Sequence, residues 1–185
     1  MNRAMIKHTI GVVLKLEAVF MLPSVVVALI YMEMRALVAF LISIAICAAL
    51  GFFLSRNKPK NTLFFAKEGF VMVALSWIFM SIFGALPFVI SNDIPNFVDA
   101  LFETISGFTT TGASILTNVE ALNKSCMFWR SFTHWIGGMG VFVLILAILP
   151  MTDSSLHILK AESPGPSVGK LVPKIRDTAK ILYII

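Results

Sequence analysis

Asn96-Phe97-Val98-Asp99-Ala100-Leu101-Phe102-Glu103-Thr104-Ile105-Ser106-Gly107 runs directly into Phe108-Thr109-Thr110-Thr111-Gly112-Ala113-Ser114. The first half is patterned as a short helix. Asn96 followed three residues later by Asp99 resembles a capping box, with Asp where Glu or Gln is usual. Phe97, Ala100, Leu101, Thr104 and Ile105 recur at helical spacing, and Gly107 reads as the stop. The predicted helix, 97–106, has about ten residues and is roughly 15 Å long at 1.5 Å per residue. That is about half of a hydrocarbon core roughly 30 Å thick. The segment 109–114 that follows is uncharged and rich in hydroxyls. The whole region 93–130 is too polar to span a membrane and too apolar for an ordinary loop. A half-length helix followed by a polar extended segment reads as a re-entrant loop. Non-helical backbone at membrane depth is tolerated only where it is buried in protein or lines a watery path.

The rest of the chain supplies the membrane context. Of 185 residues, 58% are hydrophobic and 14% charged. A soluble domain is roughly 45–50% apolar and about 25% charged. A chain this short could not cover its own core with polar residues, and disorder needs low hydrophobicity. Residues 36–55, 69–92 and 131–152 each lack Asp, Glu, Lys and Arg. Each is long enough to cross a bilayer as a helix. A fourth span, 9–31, carries Lys15 and Glu17 near its start, where Lys can snorkel. The fold expected is an all-α membrane protein.

The basic residues orient it. With the N-terminus in the cytoplasm, the inner segments hold Arg3 and Lys7, then Arg56, Lys58, Lys60 and Lys67, then Lys160, Lys170, Lys174, Arg176 and Lys180. The outer side holds only Arg35, Lys124 and Arg130. This fits the positive-inside rule, and it accounts for the net charge of +5 without a nucleic-acid partner. Glu33, Asp93, Asp99, Glu103 and Glu120 fall outside. An acidic mouth would concentrate cations; the plainer reading is that outer loops are polar. Cys47 and Cys126 lie in different contexts and form neither a Cys-x-x-Cys pair nor an expected disulfide. The N-terminus lacks a short apolar core with a small-residue cleavage site, so no cleaved signal peptide is expected.

The uncharged loop has the materials of an ion filter. A dehydrated cation needs oxygen ligands, and backbone carbonyls supply them without a full charge that would hold the ion too tightly. Thr hydroxyls add ligands, and Gly112 can adopt positive φ, which helps aim successive carbonyls to one side. The C-terminus of the half-helix would direct partial negative charge at a cation. The competing reading of Thr109–Thr111 is a polar turn between helices.

Phe102–Ala113, with Phe128-Trp129-Arg130-Ser131-Phe132-Thr133-His134-Trp135-Ile136-Gly137-Gly138-Met139-Gly140 and Ile148-Leu149-Pro150, resembles the Trk-type potassium uptake proteins (TrkH/TrkG) of the Trk/Ktr/HKT superfamily. Glu162-Ser163-Pro164-Gly165 and Pro173-Lys174-Ile175 resemble that family's next cytoplasmic linker. The resemblance covers the whole chain. It implies potassium uptake across the bacterial plasma membrane by a multi-pass protein with a leading helix pair and four helix–pore loop–helix repeats. Here 1–60 would be the leading pair, 61–152 the first repeat, and 153–185 a linker with the start of the next span. It also implies a TrkA-like cytoplasmic nucleotide-binding regulator and a homodimer of the full protein. Carried over, the ion would meet the carbonyls of Thr110, Thr111 and Gly112, flanked by Thr109 and Ala113. The chain would be the N-terminal part of a longer pore. The alternative is a non-conducting truncated fragment or an assembly subunit.

Other residues carry weaker signals. Gly137, Gly138 and Gly140 would serve close helix packing or a hinge. Glu103 would brace the filter backbone, since an intramembrane acid is a functional candidate by default. Arg130 reads as an interface anchor, or as the partner of an outer carboxylate. His134 reads as a hydrogen-bonded histidine at a helix end, and Trp77, Trp129 and Trp135 as packing or interfacial residues. No His-Glu-x-x-His occurs, and Ser106 and Ser114 have no His nearby in sequence, so no enzyme is expected.

Overall fold

The computed structural model describes residues 3–57 and 66–140. Expectations for residues 141–185, and for most of the basic segment 56–68, lie outside the described residues. Helices α1 (Arg3–Phe20), α2 (Leu22–Ile30), α3 (Met34–Ser55), α4 (Ala66–Gly84), α5 (Leu86–Ile90), α6 (Phe97–Phe108) and α7 (Lys124–Met139) form the described part, with a single 3-10 turn at Val119–Ala121. The breaks between α1 and α2 and between α4 and α5 have the same cause. Pro23 and Pro87 each sit within the first two positions of the following helix. A proline there removes one N–H and crowds the carbonyl four residues back. Each pair nonetheless continues as one apolar rod, Arg3–Ile30 and Gly69–Ile90. With Met34–Ser55 these are three helices long and apolar enough to cross a membrane.

The first rod is longer than the charge pattern predicts. The expected span began at residue 9, whereas α1 begins at Arg3. Ile6, Thr9 and Ile10 are buried, and Lys7 places its ammonium 5.4 Å from the centre of the Phe53 ring. Packing on α3 thus extends the helix beyond the purely apolar run. The extension moves Glu17 from near the end of the span to its middle.

Elements α1 and α3 meet at glycines. A Cβ on Gly11 would come within 2.8 Å of the Gly51 carbonyl oxygen, and one on Gly51 within 2.9 Å of the Gly11 oxygen. Small residues at such a crossing let two backbones approach closely where lipid gives no hydrophobic drive. The exposed Lys15 runs its stem over Gly51, a side chain leaning along an apolar surface. Helix α4 packs on α1, α2 packs on α3 and α7, and α6 lies against both α4 and α7.

Candidate functional site: the loop after α6

Helix α6 starts where the sequence says. Asn96 is its N-cap and its Oδ1 accepts from the Val98 N–H at 2.9 Å. The end differs. Gly107 does not stop the helix, which continues through Phe108. Gly107 instead faces α7, where a Cβ would collide with Thr133 Oγ1. A glycine with no Cβ serves a C-terminal turn or a close approach equally well, and sequence does not separate the two.

The stop comes at Thr110. Its N–H donates to the Gly107 carbonyl at 2.9 Å, and the Thr111 N–H to the Ser106 carbonyl at 3.0 Å. These are the two bonds of a Schellman turn, whose left-handed residue is usually Gly. Here it is Thr110, with φ of 56°. A β-branched residue in that region is a genuine outlier, and such strain costs about 1–3 kcal/mol and tends to gather at functional sites. Gly112 has φ of 74° with open space where a Cβ would lie. Residues Thr109 to Ser114 are exposed. Among the described residues, no hydrogen bond reaches the carbonyl oxygens of Thr110, Thr111 or Gly112. The hydroxyl of Thr109 donates to the Ile105 carbonyl at 2.8 Å and also lies 2.8 Å from that of Thr111.

The loop is held from behind by side chains of α6. The Ser106 hydroxyl donates to the Ala113 carbonyl at 2.6 Å. Glu103 is fully buried. Its Oε1 accepts from the Ser114 hydroxyl at 2.6 Å and from the Ile115 N–H at 2.7 Å. Its Oε2 accepts from Arg130 Nε at 2.6 Å, forming a salt bridge to α7. Arg130 therefore pairs with an acid on the half-helix and is not simply an anchor at an interface.

The seam between α6 and α7 is tight. A Cβ on Gly137 would collide with the Phe108 carbonyl oxygen, and one on Gly138 would touch the Thr110 methyl at 3.9 Å. Gly140 ends α7 with φ of 70°. Helix α7, which covers the start of the expected span 131–152, begins at Lys124, and the part of that expected span beyond residue 140 lies outside the described residues. Trp129 is buried and its Nε1 donates to the Gly84 carbonyl at 2.9 Å. It meets Phe108 edge-on, as does Trp77, while Trp135 stacks on Phe132. His134 Nδ1 lies 2.8 Å from the Arg130 carbonyl, which can only accept. The Ser106 and Ser114 hydroxyls donate as described, so neither is paired with His134. Cys47 and Cys126 are both buried and free.

Three acids have surroundings the sequence does not reveal. Glu17 is fully buried, with neither oxygen hydrogen-bonded among the described residues. Its Oε1 lies 3.1 Å from where a Gly84 Cβ would be, beside Thr104 and Phe108 of α6. Asp93 accepts from Asn123 Nδ2 at 2.8 Å, so both ends of the segment 93–123 meet at one end of the bundle. Glu33 accepts from the N–H groups of Lys124 and Ser125 and from the Ser125 hydroxyl. Within a span beginning at Arg3, Glu17 stands out as a mid-span acid; the pairings of Asp93 and Glu33 are long-range and leave no local signal. Among the described residues, no group of three or more His, Cys, Asp or Glu is placed to hold a metal ion.

These features define a multi-pass, all-helical membrane protein with a short helix and a strained, carbonyl-exposing turn lodged among its spans. Residues 21–185 match the TrkH family model, described as cation transport protein. The chain is 36% identical over 184 residues to the Trk system potassium uptake protein TrkG of Escherichia coli, covering 97% of this chain and 38% of that protein. It is 38% identical over 182 residues to TrkH of Vibrio parahaemolyticus, covering 95% and 37%. The crystal structure of that potassium transporter matches with a TM-score of 0.75 at 34% identity, over 100% of this chain and 36% of the other. The chain belongs to the TrkH family of cation transporters, which is not an enzyme family. It spans a little over a third of the length of these relatives.

Proposed function

We propose that this chain supplies one of four pore loops of a potassium uptake protein. The re-entrant loop is α6 with residues 109–114, and potassium passes against the carbonyl oxygens of Thr110, Thr111 and Gly112, flanked by Thr109 and Ala113. The observation that carries the reading is the turn itself. A strained Thr110 and a positive-φ Gly112 bracket carbonyls that no described hydrogen bond occupies. Carbonyl oxygens left free this way replace water around a cation, and α6 adds the negative end of its dipole behind them. Glu103 braces the backbone through Ser114 and Ile115 and does not itself bind the ion.

The remaining parts follow the family. Residues 1–60 form the leading helix pair, 61–152 the first repeat, and 153–185 the linker into the next. The N-terminus is cytoplasmic, which puts the basic residues inside. The relatives are named as members of the Trk system; the complete protein acts as a homodimer with a TrkA-like regulator on its cytoplasmic face. Gly137 and its neighbours serve close packing of α7 on the loop.

The test uses the complete protein in a bacterium lacking its own potassium uptake. Gly112→Val should abolish growth on low potassium while the protein still reaches the membrane. Normal growth would reject the filter assignment. The cause is conformational, because open space surrounds the Gly112 Cβ position.

A further inference from the structure

We propose that Glu33, in the turn between α2 and α3, is a positioning residue for the filter loop. The inference rests on the pore-loop reading and extends it to a part of the chain remote in sequence from the loop. Helix α2 ends in the same kind of turn as α6. The Met32 N–H donates to the Leu29 carbonyl at 3.3 Å and the Glu33 N–H to the Ala28 carbonyl at 2.9 Å. Met32 takes φ of 57°, a conformation that bulky residues avoid. The strain has a local product: it directs the Glu33 carboxylate onto the N-terminus of α7.

There the carboxylate meets three donors. Oε1 accepts from the Lys124 N–H at 2.6 Å, and Oε2 accepts from the Ser125 N–H at 3.0 Å and the Ser125 hydroxyl at 2.6 Å. The first N–H groups of a helix have no partner within it, and their partial positive charge favours an anion. Asn123, the N-cap of α7, makes no side-chain cap bond; its amide goes to Asp93. Glu33 therefore does the capping from another hairpin and sets where α7 begins. Arg130 lies six residues on, about 9 Å along the axis. It holds Glu103 Oε2, and Glu103 Oε1 holds Ser114 and Ile115. Glu33, α7, Arg130 and Glu103 thus form a continuous line of hydrogen-bonded contacts from the first hairpin to the back of the loop. Glu33 touches no part of the 109–114 segment in this line and acts only through α7.

The experiment measures potassium-over-sodium preference by ion flux into vesicles containing the complete protein, for Glu33→Gln, Ser125→Ala, Glu33→Asp and the Glu33→Gln/Ser125→Ala pair. Glu33→Gln keeps size but loses the charge and one acceptor oxygen. It should lower the preference about tenfold, equivalent to about 1.4 kcal/mol, with the amount of membrane-inserted protein unchanged. Ser125→Ala should lower it less, and Glu33→Asp should restore part of the preference. The double variant should match Glu33→Gln alone, because both changes act on one contact. Unchanged preference in Glu33→Gln, or two effects that simply add, would overturn the proposal. Should Glu33→Gln fail to insert, Ser125→Ala decides, and an unchanged preference there also overturns it. The pore-loop reading is tested separately by Gly112→Val: loss of uptake there with normal preference in the Glu33 series rejects this inference alone.

Discussion

Glu17 and Glu103 are both fully buried, yet their surroundings are opposite. Glu103 has three donors on two oxygens, one from each of Ser114, Ile115 and Arg130. Glu17 has none among the described residues and sits in a niche left by the missing side chain of Gly84. Burial alone therefore says little about a carboxylate in a membrane protein. What separates the two is whether backbone that must be held in an unusual conformation lies within reach. Glu103 stands behind a turn containing Thr110 and Gly112 at positive φ. Glu17 faces Gly84, where α4 gives way to α5, and no donor among the described residues reaches it.

The contrast sets an order of effects. Glu103→Ala should be the most damaging of these changes: it frees Ser114 and Ile115 and leaves Arg130 without its partner. Removing one member of a buried pair costs about 3–5 kcal/mol. Uptake should be lost and the melting temperature in detergent should fall. Arg130→Lys comes next. It keeps the charge but not the planar donor that meets Glu103, so potassium uptake should fall while the Ser114 and Ile115 bonds persist. Ser106→Ala removes one bond to the Ala113 carbonyl, worth about 1 kcal/mol; a modest loss of potassium-over-sodium preference is expected in a flux assay. Glu17→Gln should be the mildest, near neutral in both uptake and melting, because no partner is lost. If Glu17→Gln proved as harmful as Glu103→Ala, the distinction between the two acids would collapse.

The sequence exposes what is local. Asn96 as a cap, the short helix α6 and the apolar helix at Met34–Ser55 all follow from spacing and charge. Elsewhere the residue type admits two readings. Gly107 has the signature of a helix stop and is used for contact with Thr133. Thr110 takes the left-handed position that Gly normally fills, so propensity points away from it. The outer acids Glu33 and Asp93 look like a loose negative mouth, but hydrogen bonds spanning 91 and 30 positions in sequence tie them to Lys124 and Asn123. Only the packed helices reveal such pairings.

The filter assignment is tested most directly by the structure of the complete protein with thallium or rubidium in place of potassium. Ion density should appear against the carbonyl oxygens of Thr110, Thr111 and Gly112, and should disappear in Gly112→Val. Density elsewhere along the protein, with none against these three carbonyls, would contradict it.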